Sequence, residues 1–116
     1  MDEKTTRKFL KPLRGNGELL QSDRRVAEVR YYLQGWQDFG AGSLLPNQAA
    51  PLAGMDGEIT LAPQDCLHLG PEQLIGQDFR LHTEQHADYD VHVYKLKNND
   101  PSRGRYSVHC RLPGRS

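Results

Sequence analysis

The side chains that could carry chemistry in this chain are five histidines, two cysteines and a set of arginines interleaved with aromatics. His82 and His86 stand four apart, a spacing that converges on one metal ion when it falls on a helix. The alternation around them reads as strand. Residues four apart on a strand share a face but lie about 13 Å apart, too far for a common ion. His92 and His109 fall on the two arms of an expected hairpin, both on its outer face, and cross-strand histidines can ligate zinc. Solvent-facing imidazoles on a polar sheet face are the simpler account, so neither a metal site nor a cofactor is expected.

Cys66 and His68 are two apart and would share a strand face, a geometry that can activate a thiol. Leu67 and Leu69 compete for the inner face, which argues against that pair. Cys110 alternates with core positions and reads as structural. The chain has no Gly-x-Ser-x-Gly, no phosphate-cradling glycine loop and no paired carboxylate signature. No catalytic residue is assigned, and an enzyme ranks behind two kinds of binding protein. Two cysteines are few for a disulfide scaffold and suit reduced, buried thiols in a cytoplasmic protein. A bridge between Cys66 and Cys110 stays open, since distant strands can be neighbours in a sheet.

Arg30, Tyr32 and Trp36 share one face of the segment from Val26 to Phe39. Arg103 and Arg105 flank a turn-rich loop beside Tyr106. Leu44 and Leu45 lie in a long segment, 40–57, rich in glycine and proline. These seven are the candidate binding residues. Basic grooves with stacking aromatics bind single-stranded nucleic acid on small barrels. The charge distribution speaks against it here. The net charge is zero, made of +3 over 1–14, −8 over 15–94 and +5 over 95–116. An acidic middle repels phosphates. A non-catalytic module that binds a protein partner or a second copy of itself therefore ranks first. Nucleic-acid or nucleotide binding through the basic end segments ranks second.

The elements that must position these residues are strands. Tyr106, Val108 and Cys110 alternate with Ser107, His109 and Arg111, and Tyr89, Val91 and Val93 alternate with Asp90, His92 and Tyr94. A strand sends successive side chains to opposite faces, so this is a hairpin with one buried and one wet face. The odd positions Ala27 to Leu33 form another apolar face. Glu18–Leu20, Glu58–Ala62, Cys66–Leu69 and Gln77–Thr83 read as short strands, and Gly15-Asn16-Gly17 as a turn before the first of them. About seven short strands imply an all-β, single-domain antiparallel barrel or sandwich. The expected organisation is a basic flexible arm over 1–14, an all-β domain over 15–112 and a disordered tail over 113–116. No apolar run approaches the roughly 20 residues of a membrane-spanning helix, and no secretory signal begins the chain.

Overall fold

In a computed structural model the described residues are 6–39 and 54–111. They build seven antiparallel strands: β1 (Thr6–Phe9), β2 (Leu13–Gln21), β3 (Arg24–Phe39), β4 (Gly54–Leu61), β5 (Asp78–Thr83), β6 (Asp88–Leu96) and β7 (Arg105–Arg111). The order β3-β2-β5-β6-β7-β4 closes by pairing β4 back onto β3. Six strands thus form a closed antiparallel barrel, with β1 as one extra strand. Closure pairs each of these six strands on both sides, while β1 pairs with β3 alone among the described strands.

The 16-residue β3 is the element that makes closure work. It pairs with β2 over Arg24–Leu33, with β4 over Val29–Trp36 and with β1 over Trp36–Phe39. β1 and the last turn of β3 project beyond the barrel as a two-stranded extension. Residues 6–9 of the basic N-terminal segment are therefore strand. The parity expected for the hairpin holds except at Ser107, expected on the wet face but buried beside a register shift in β6. Val91, Val93, Tyr106 and Val108 are buried, while His109 and Arg111 point outward. Cys110, opposite Val91, is half-buried. With Leu19, Leu33, Ile59 and Leu81, these residues form a single core.

Three local expectations need correction. Gly15-Asn16-Gly17 is no turn: the three residues lie inside β2. Gly17 is glycine because a Cβ there would stand 2.6 Å from the His82 carbonyl oxygen on β5. Cys66–Leu69 is no strand. Pro63 starts a short helix, α1 (Pro63–Cys66), and a second, α2 (Pro71–Leu74), follows Gly70. Proline fits the first helical position, where its missing N–H would have no partner in any case. Leu74 of α2 is fully buried in the core, while Leu67 remains 81% exposed. Finally, β4 starts at Gly54, inside the expected loop 40–57, because its pairing with β3 reaches Trp36.

Candidate binding face

On the outer surface of β2, β3 and β4, register brings the candidate residues into rows. Asn16, Arg30 and Thr60 are direct partners across the three strands. The next row is Arg14, Tyr32 and Glu58. Strand alternation sends the whole set outward while Val29, Tyr31 and Leu33 point into the core. The Arg14 guanidinium lies over the Tyr32 ring at 5.0 Å, a cation–π contact.

Two depressions meet at the Asn16–Arg30–Thr60 row. One, of about 370 Å³, opens toward Arg14, Tyr32 and Glu58. The other, of about 930 Å³, runs past Glu18 and Glu28 toward α1, His82, Glu84 and Arg103. Asn16, Arg30 and Thr60 line both. Arg30 is exposed, and no carboxylate among the described residues forms an ion pair with it. Its neighbours differ. Arg25 binds Glu18 and Glu28, and Glu58 is shared by Lys97 and Arg105, both at 2.7 Å. The Lys97 hydrogen bond first, then that of Arg105, holds the Glu58 carboxyl below its usual range against the opposing effect of burial.

The other sequence candidates are dispersed. Arg105 stands beside this face but is committed to Glu58. Arg103 borders the larger depression and pairs with Asp100 at 3.4 Å. Trp36 is four residues beyond Tyr32, about 13 Å along the strand, in a separate cluster. There Arg7 lies 4.6 Å above its ring and Phe9 meets it edge-on at 6.3 Å. Leu44 and Leu45 lie outside the described residues. Sequence reading overlooked Asn16, Thr60 and Arg14. Only Thr60 had a visible outward parity, since Asn16 and Arg14 fell in a stretch read as turn and arm, and which residues face Arg30 and Tyr32 depends on register between strands distant in the chain.

The two cysteines are free. Cys110 is pushed up to about 12 by burial, and burial likewise raises Cys66. Neither thiol is activated as a nucleophile, because both are biased toward the protonated form. Cys66 instead donates to the Leu61 carbonyl at 3.9 Å. Among the described residues no three histidine, cysteine or acidic side chains converge on one ion, and no helix is long and apolar enough to cross a membrane. His92 and His109 are, however, direct partners across β6 and β7.

No protein-family model matches this chain. No match to it is found among curated proteins, nor among solved structures.

Proposed function

We propose that this protein is a non-catalytic binding module whose recognition face is the outer surface of β2, β3 and β4. The observation that carries the reading is Arg30: an exposed guanidinium, without a carboxylate partner among the described residues, lining both depressions. Asn16 and Thr60 flank it with hydrogen-bonding groups, and Tyr32 adds a flat ring one row away. A guanidinium presents a planar fork of donors that matches a carboxylate in bidentate fashion. The fitting occupant is an acidic side chain or terminal carboxylate on a protein partner. Glu18, Glu28, Glu58 and Glu84 rim the same depressions and disfavour a ligand with many phosphates.

The test is selection of binders from a displayed random-peptide library, with and without Arg30→Ala. The expected result is a set enriched in Asp and Glu whose binding is lost in the variant and only mildly weakened by salt. Binders indifferent to Arg30→Ala would overturn the reading. A dT oligonucleotide that binds with a steep salt dependence would replace it with nucleic-acid recognition.

A further inference from the structure

The outer face of β4, β7, β6 and β5 carries a row of side chains that peptide binding does not use. Asp56, His109, His92 and Asp78 are consecutive register partners across these four strands. Nδ1 of His109 lies 2.6 Å from Oδ1 of Asp56, and Nδ1 of His92 lies 2.8 Å from Oδ1 of Asp78. A carboxylate only accepts, so each Nδ1 carries the hydrogen, and the neutral form of each ring has its lone pair on Nε2. The aspartates stand on the two flanking strands, one on each side. Nε2 occupies the ring edge away from Nδ1. Each Nδ1 is thus engaged by a carboxylate from a flanking strand, which leaves Nε2 as the ring nitrogen that can take a ligand.

Tyr94 fixes the plane of one ring. It stacks on His109 with centroids 3.9 Å apart and planes 8° apart. Tyr94 stands on β6 two residues beyond His92, with the same parity, and this stack holds the His109 ring in place beside His92.

We propose that His92 and His109 form a two-imidazole site for a late first-row divalent cation of the zinc, nickel and copper class, with water completing the coordination. Directly opposed residues of antiparallel strands hold their Cα atoms about 4.5–5.5 Å apart. Two metal–nitrogen bonds of about 2.0–2.1 Å at a tetrahedral angle need about 3.3 Å between nitrogens, within reach of such a pair. A carboxylate on the far nitrogen is the arrangement that orients ligating histidines, and both rings have one. Imidazole donors suit late transition metals over magnesium or calcium. The local charges are balanced toward a cation on one side only. Asp56, Asp78 and Asp90 favour it, while Arg111, 3.6 Å from Asp78, and Arg80 oppose it. His82 makes a similar pair with Asp88 at 2.6 Å, but four residues along β5 from Asp78, about 13 Å away, so it belongs to a different place on the barrel.

The experiment is a zinc titration of the reduced, untagged full chain, followed by long-range proton–nitrogen spectra of the imidazoles. The Nε2 signals of His92 and His109 should move together with one equivalent of zinc, and those of His68 and His86 should not. His92→Ala and His109→Ala should each weaken binding by about tenfold or more. Asp56→Ala and Asp78→Ala should weaken it about 10- to 100-fold, through loss of ring orientation. Cys66→Ser and Cys110→Ser should leave it unchanged. All the histidine and aspartate changes are on the outer face, so the fold survives them and their effects report on the site. The proposal is overturned if wild-type chain shows no shift at millimolar zinc, if either histidine variant binds like wild type, or if a cysteine variant abolishes binding.

Discussion

At the scale of single residues, Glu58 is the acid whose environment has the clearest consequence for stability. Its folded-state pKa is depressed, chiefly by the Lys97 hydrogen bond. A depressed carboxyl contributes stability that is present above its unfolded pKa and is lost as pH falls through the folded value. Lys97 and Arg105 are 40% and 38% exposed, so solvent screens both pairs and holds the gain to about 1 kcal/mol. Glu58→Gln should therefore destabilise the protein by about that amount at neutral pH. The gap between variant and wild type should close as the solution is acidified below the carboxylate range. Urea unfolding at several pH values measures this, and a gap independent of pH would remove the ion-pair account. Tyr106 is the opposite case. Its hydroxyl is buried without a partner among the described residues, and burial raises its pKa. Removing an unpaired buried hydroxyl relieves a desolvation cost. Tyr106→Phe should leave stability unchanged or raise it by about 1 kcal/mol. A marked loss in the same unfolding assay would mean that the hydroxyl has a partner in solution.

At the scale of elements, parity along a strand was legible in the sequence and pairing between strands was not. The alternation in Tyr106–Arg111 and Tyr89–Tyr94 is a property of consecutive residues, so it can be read locally. Val108 is fully buried and His109 exposed, as that alternation requires. Val108→Ala should cost about 1–3 kcal/mol through lost burial and a cavity, and His109→Ala much less. A reversal of those costs in denaturant unfolding would mean a register shifted by one residue. The glycines were misread because their reason is non-local. Gly57 looked like part of a loop, yet it lies within β4 where that strand presses closest to β3. A Cβ at Gly57 would stand 1.9 Å from the Tyr32 carbonyl oxygen and 2.8 Å from the Leu33 Cα, both backbone atoms that cannot swing aside. Gly57→Ala should therefore destabilise by about 3 kcal/mol or more, a larger cost than that of many core truncations. Near-neutral behaviour in the same assay would show that β3 and β4 can separate there. The candidate face was legible only in part for the same reason. Arg30 and Tyr32 sit on one segment and share a parity, but Asn16, Thr60 and Arg14 join them only through pairing across the barrel.

At the scale of the whole molecule, the uneven charge along the chain is offset in part by folding. Lys97 and Arg105 bind Glu58, Arg103 binds Asp100, and Arg111 approaches Asp78. Four basic side chains of the C-terminal segment thus face carboxylates, though only Glu58 and Asp78 come from the acidic middle of the chain. The structural consequence is that the barrel depends on burial and closure, with electrostatics as a minor contributor. Six strands close on a single core, and both thiols are free. The proposed cation site lies on the outer face, where its loss uncovers no core residue. With no metal added, thermal melts with and without a reductant, and with and without a chelator, should therefore overlay. A fall of many degrees with reductant would require a Cys66–Cys110 bridge in solution and a barrel able to bring α1 and β7 together. A fall with chelator would mean that the His92–His109 cation clamps β6 to β7 and takes part in folding. If the curves coincide while zinc still shifts both imidazoles, metal binding is a function carried on the finished barrel, not a condition for forming it.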